Sequence, residues 1–118
     1  MHVLIATPTA SQIVTTAYTV SLINATRALH AAGLDYHHAT FDGADVVLAR
    51  NYLANEALRK PETSAVLWID SDMLIPQEVF ARMLRFDKPF VGVAYSERSL
   101  DMEKYIEMRK LALPDDQC

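Results

Sequence analysis

Asp70 and Asp72, with only Ser71 between them, follow the most apolar run of the chain, Ala65-Val66-Leu67-Trp68-Ile69. A carboxylate at the edge of such a run costs free energy unless something compensates its charge. Two acidic residues one position apart at the end of a strand can set one or both carboxylates beside a hard divalent cation, Mg2+ or Mn2+. That cation would bridge to the oxygens of a diphosphate, cancel its charge and activate it as a leaving group. The competing assignment is structural. In it Asp72 or Ser71 caps the next helix, and Asp70 pairs with Arg50 or with a backbone amide. Arg50 carries a planar fork of donors that suits a phosphate or a carboxylate equally. Its structural alternative is a salt bridge to Asp70 or Asp45.

The elements around these residues follow from apolar spacing and turn chemistry. Val3 to Ala6 is a short continuous apolar run, expected to be a buried first strand that ends in a Thr7-Pro8-Thr9 turn. Ser11 is the expected cap of a helix whose stripe is Val14, Tyr18, Leu22, Ala25, Leu29 and Ala32, with Gly33 closing it. Leu34 to Phe41 is a second strand, and Asp42-Gly43 turns the chain. Asp45 starts a second helix with Val46, Arg50, Leu53 and Ala57 on one face, stopping before Pro61. Ala65 to Ile69 is the third strand, expected to be buried on both faces with Trp68 in the core. Pro76 suits the first turn of a third helix, buried through Val79, Phe80, Met83 and Leu84. Pro89 to Ala94 is the expected fourth strand, and Ser99 the expected cap of a last helix ending near Leu111, before a Pro114-Asp115-Asp116 tail.

Strands alternating with helices imply parallel βαβ units. The expected fold is therefore α/β, a three-layer sandwich on a mostly parallel sheet, in one domain. In such sheets ligands bind beyond the carboxyl ends of the strands. Thr7 to Ser11, Asp42-Gly43, Asp70 to Asp72 and Tyr95 to Arg98 all fall at that edge.

Composition narrows the classes. The chain has 118 residues, 51% hydrophobic and 22% charged, the balance of a globular domain. Its formal charge of −4 argues against nucleic acid, where affinity comes from neutralised phosphates. The lone cysteine, Cys118, excludes an intrachain disulfide and a cysteine-based zinc site. The apolar start stops at Thr7-Pro8-Thr9, too short for a signal peptide core or a transmembrane helix, so the expected location is cytoplasmic. With glycine only at 33, 43 and 92, neither a dinucleotide fingerprint nor a P-loop can be drawn.

The ordered pair VLARNYLANEAL (47–58) and SAVLWIDSDMLIP (64–76) resembles the nucleotide-binding half of GT-A glycosyltransferases. Ala49-Arg50-Asn51 resembles the Ala-Arg-Asn element of family 2 members. The arrangement also looks like the fungal mannan-polymerase mannosyltransferases, in which a similar helix precedes a hydrophobic strand and an Asp-x-Asp motif. The resemblance spans residues 1–98, a Rossmann-like nucleotide-sugar-binding domain, with 99–118 as a C-terminal helix and tail of the same domain. It implies a metal-dependent transferase that takes a nucleotide-diphosphate sugar and an unidentified acceptor, with Mn2+ or Mg2+ as cofactor. Carried over, Asp72 is the metal ligand, and Asp70 contacts the ribose or supports the metal. Arg50 contacts the base or phosphates, and Thr7, Pro8 and Thr9 hold the nucleobase. Asn51 is expected to be a structural hydrogen-bonding residue.

The GT-A second half, which supplies acceptor binding, a further metal ligand and a catalytic base, has little counterpart here. Glu97, Asp101 and Glu103 are available as bases, but each also suits a helix terminus or a solvated surface. The chain therefore reads as a fragment, a minimal transferase completed as a homo-oligomer, or a non-catalytic nucleotide-sugar-binding or assembly module. A haloacid-dehalogenase-like phosphatase also uses Asp-x-Asp after a strand. That family places the motif on its first strand and follows it with Thr or Val where this chain has Leu74. His37 and His38 are adjacent on a strand, so they point to opposite faces and cannot share a metal. Tyr95 and Arg98 suit either a substrate contact or surface pairing, and the methionines fill apolar helix positions.

Overall fold

The computed structural model describes residues 1–86 and 88–94. Three strands and three helices alternate: β1 His2–Thr9, α1 Thr16–Ala31, β2 Asp35–Asp42, α2 Val46–Arg59, β3 Thr63–Trp68 and α3 Gln77–Arg85. The sheet order is β2-β1-β3, and both pairings are parallel. This is the small parallel α/β arrangement expected of alternating strands and helices, compatible with a Rossmann-like fold.

β1 is central, and every residue from Val3 to Thr9 is buried. Alternation sends its side chains to opposite faces. Val3 and Ile5 pack with Tyr18, Ala25 and Leu29 of α1 and Phe80 of α3. Leu4 and Ala6 pack with Leu53 and Ala57 of α2. Both faces of the central strand are therefore covered by helix.

Several boundaries differ from expectation, each for a physical reason. β1 does not stop at Ala6. Its pairing with β2 continues through Thr7↔Thr40, Pro8↔Phe41 and Thr9↔Asp42, so Thr7-Pro8-Thr9 is strand and not turn. Pro8 is tolerated there because of backbone parity. The Ala6 carbonyl accepts from Ile69 N on the β3 side, and the Thr9 carbonyl accepts from Gly43 N on the β2 side. Pro8 shares the parity of Ala6, so its missing N–H faces the side where β3 has already ended.

α1 starts at Thr15 rather than Ser11. Ser11 and Gln12 hold left-handed φ of 56° and 57°, in a turn closed by Ile13 N to the Ala10 carbonyl at 3.2 Å. Two consecutive left-handed non-glycine residues store strain of order 1 kcal/mol each. The Gln12 amide is held by Asp42 Oδ1 at 2.9 Å. Gly33 does close α1, with φ of 72°. Gly33 N bonds the His30 carbonyl and Leu34 N the Leu29 carbonyl, each at 3.0 Å, a Schellman cap. Asp45 caps α2 as expected, accepting from Val47 N at 2.9 Å. Pro76 is the N-cap of α3 rather than its first helical residue.

Two expectations about the third strand and beyond are corrected. β3 is an edge strand among the described residues, and Trp68 is 41% exposed instead of core. Residues 88–94 carry no strand pairing, so the expected fourth strand is not formed. They lie across a cavity from β3 and do not hydrogen-bond to it as a ladder. The expected last helix and tail, with Tyr95, Glu97, Arg98, Asp101, Glu103 and Cys118, lie outside the described residues. Among the described residues no helix is long and apolar enough to cross a membrane.

Candidate functional site

The carboxyl ends of all three strands open into one small polar cavity of about 240 Å³. β1 contributes Pro8, Thr9 and Ala10; the turn after β2, Gly43 and Ala44; α2, Val46 and Arg50; the loop after β3, Asp70, Ser71 and Asp72. The structure thus brings Pro8, Thr9, Arg50, Asp70 and Asp72 around one space, although they are far apart in sequence. Thr7 is the exception. Its side chain is fully buried, and its Oγ1 lies 2.6 Å from Tyr18 Oη.

The Asp70-to-Asp72 segment is a turn closed by Met73 N donating to the Asp70 carbonyl at 3.3 Å. Neither Ser71 nor Asp72 caps α3, because Pro76 occupies that position. The turn is instead fastened to α1. Thr15 N donates to the Ser71 carbonyl at 2.9 Å. Ser21 Oγ donates to the Met73 carbonyl at 2.5 Å and accepts from Ile75 N at 2.7 Å. Asn24 Nδ2 donates to the Ile75 carbonyl at 3.0 Å. Sequence reasoning missed Ser21 and Asn24. Their signal was a pair of polar residues three apart on the helix stripe that carries Tyr18 and Ala25, positions where an amphipathic helix expects apolar side chains.

Arg50 projects from α2 to Asp70, with Nη2 to Oδ1 at 3.4 Å. The structural partner foreseen for Arg50 is therefore present, and the same guanidinium lines the cavity. The amides at the start of α2 are already used, since Asp45 Oδ1 accepts from Val47 N and, at 3.5 Å, Leu48 N. Arg50 is thus the basic group among the lining residues. One guanidinium against two carboxylates leaves the lining with net negative charge, which attracts a cation before it admits a phosphate. Asn51 is exposed on α2.

Among the described residues no group of three or more His, Cys, Asp and Glu converges into a metal-binding cluster. Mg2+ and Mn2+ do not need one. Such ions are commonly held by one or two carboxylates, with substrate phosphate oxygens and waters completing the octahedron. Asp70 and Asp72 meet that minimum.

The two adjacent histidines diverge as alternation requires. His37 Nδ1 lies 2.5 Å from His2 Nε2, with the rings stacked. His38 Nε2 lies 2.9 Å from Tyr18 Oη, extending the Thr7–Tyr18 contact into a three-residue chain. Burial lowers the His38 pKa and raises that of Tyr18, the latter offset in part by the Thr7 hydrogen bond. Both groups are thereby held neutral at ordinary pH. Burial, then the Lys60 and His2 charges, lower the His37 pKa against an opposing effect of Glu62.

Comparison with known proteins finds no matching family model, no significantly similar curated sequence and no significantly similar solved structure.

Proposed function

We propose that the chain is the donor-binding part of a GT-A-type glycosyltransferase, a three-layer α/β domain that holds a nucleotide-diphosphate sugar through Mn2+ or Mg2+. The observation that carries this is the convergence of Asp70, Asp72 and Arg50 with Pro8 and Thr9 on one cavity at the carboxyl edge of a parallel sheet. That is where open α/β sheets bind ligands. At about 240 Å³ the cavity is smaller than the roughly 300 Å³ at which small-molecule pockets begin. It suits a metal–diphosphate unit, with the nucleoside and sugar extending outside it.

In this assignment Asp72 and Asp70 hold the cation, and Arg50 turns its donors to the phosphates. When bound, the cation supplies charge neutralisation of the departing nucleotide diphosphate. Thr9 and Pro8 bound the opposite wall, and the bonds from Ser21 and Asn24 keep the carboxylate loop from yielding to phosphate charge. Thr7 acts here through Tyr18 rather than on the nucleobase.

A second assignment, a non-catalytic nucleotide-sugar-binding module, is favoured by one observation. The acidic residues lining the cavity are Asp70 and Asp72, both engaged in metal binding, which leaves no lining carboxylate to deprotonate an acceptor. Sugar transfer or donor hydrolysis by the purified protein distinguishes the two. The phosphatase alternative has less support, because its chemistry needs a lysine and the basic lining residue is Arg50.

The test is thermal unfolding with UDP, GDP, CDP and TDP, with and without Mn2+, for the wild type and Asp72→Asn. Ligand at a hundred times its Kd should add roughly 2.7 kcal/mol, several degrees for a domain of this size. A manganese-dependent rise with one nucleotide, lost in Asp72→Asn, is the expected result. No rise with any nucleotide would remove the donor-site assignment.

A further inference from the structure

A second cavity of about 820 Å³ lies between β3, α3 and residues 89–93. Its size is within the range of small-molecule sites. The lining is apolar throughout its body, with Val66, Trp68, Met73, Met83, Phe90 and Val93 among its walls. The charged lining residues are Arg50 and Asp70, the same two that border the polar cavity. The two spaces therefore meet at one ion pair, polar chemistry on one side and hydrocarbon on the other. A smaller apolar space of about 210 Å³, sharing Val66, Leu67, Phe80, Met83 and Val91, prolongs it toward Met1 and Lys88.

Apolar side chains here are left wet. Phe90 is 91% exposed and Trp68 41%. Connected apolar surface of this kind on a described face marks a binding site more often than a packing accident. A wholly apolar ligand would leave Arg50 and Asp70 at the rim unused, and a wholly polar one would waste the hydrocarbon walls. We propose that this cavity binds an amphiphile, an alkyl or prenyl chain lying between β3 and Phe90 with an anionic head at the Arg50 guanidinium. Arg50 is free enough to do this, since its 3.4 Å contact with Asp70 is long and solvent-exposed. That this amphiphile is the sugar acceptor rests on the donor assignment above: a cation on Asp70 would release Arg50 to the head group, which then sits at the mouth of the donor cavity.

Trp68 is the chain's one tryptophan and lines the cavity, so its emission reports occupancy directly. The probe is dodecyl phosphate below its micelle concentration, with dodecanol and inorganic phosphate as separate arms. A saturable blue shift of Trp68 emission is expected with dodecyl phosphate and none with inorganic phosphate. Phe90→Asp and Val93→Asp, both at exposed positions that the fold does not need, should each weaken binding at least tenfold. Arg50→Gln should weaken dodecyl phosphate at least fivefold while leaving dodecanol unchanged. Absence of a saturable shift, undiminished affinity in Phe90→Asp, or an equal response to inorganic phosphate would overturn the site. Asp72→Asn separates it from the donor assignment. Dodecyl phosphate binding retained in that variant, with no manganese–nucleotide response in the wild type, removes the donor site and leaves the amphiphile site standing. The reverse pattern removes the amphiphile site alone.

Discussion

Arg50 of α2 and Asp70 at the end of β3 face each other at 3.4 Å on the wall between two cavities, with side chains 51% and 37% exposed. Exposed pairs of this length contribute about 0–1 kcal/mol, because water screens them and two side chains must be held in register. Arg50→Gln should therefore lower stability by less than about 1 kcal/mol in urea unfolding while weakening manganese-dependent nucleotide binding several-fold by calorimetry. A large loss of stability would instead make Arg50 a structural residue.

Ser21 is the opposite case. It is fully buried, and its hydroxyl serves the Met73 carbonyl and the Ile75 amide at once. Ser21→Ala leaves both backbone groups short of a partner and should cost about 1–3 kcal/mol. Hydrogen exchange at the Ile75 amide should quicken beyond the global change, because the carboxylate loop loses its fastening to α1. Unchanged exchange there would show that Asn24 and Thr15 suffice.

Tyr18→Phe tests the buried chain from Thr7 to His38. Removing the phenol leaves the Thr7 hydroxyl, with no solvent exposure, without its 2.6 Å partner. The expected cost is about 1–2 kcal/mol. Adding Thr7→Val to that variant should recover part of it, since no polar group is then stranded. A double variant as unstable as the sum of the singles would mean that the two hydroxyls are not coupled.

His38 and His37 give stability a pH dependence of definite sign. Burial lowers both below the ordinary value of 6.5, so the unfolded chain binds the proton more readily. Their contribution is complete above about pH 6.5 and is lost as pH falls from there through the folded-state values. Melting temperature should be level above neutrality and fall below pH 6.5, before the carboxylates begin to titrate. The slope in that window should lessen in His38→Gln. An unaltered slope would assign the dependence to other groups.

Much of the scaffold was legible because it is written in local chemistry. Asp45 caps α2 through its own carboxylate, Gly33 closes α1 because φ of 72° strains any other residue, and the apolar runs at Val3 and Ala65 form parallel strands. Ser11 misled because capping chemistry was present but its backbone is committed to a left-handed turn held by Asp42. Thr7-Pro8-Thr9 misled because proline reads as a turn. Whether it breaks a strand depends on which neighbour its missing N–H faces, and that is a property of the sheet.

By itself the sequence determined that carboxylates follow an apolar strand and that an arginine sits on the preceding helix, since residue order sets both. Only tertiary structure decided that Arg50 reaches Asp70, that Thr7 turns inward to Tyr18, and that Ser21 and Asn24 hold the carboxylate loop. These contacts join residues about 10 to 50 positions apart, and no local periodicity encodes such distances. Trp68 shows the same limit. Its apolar neighbours mark a buried strand, but burial depends on a flanking element, and residues 88–94 lie alongside β3 without pairing to it.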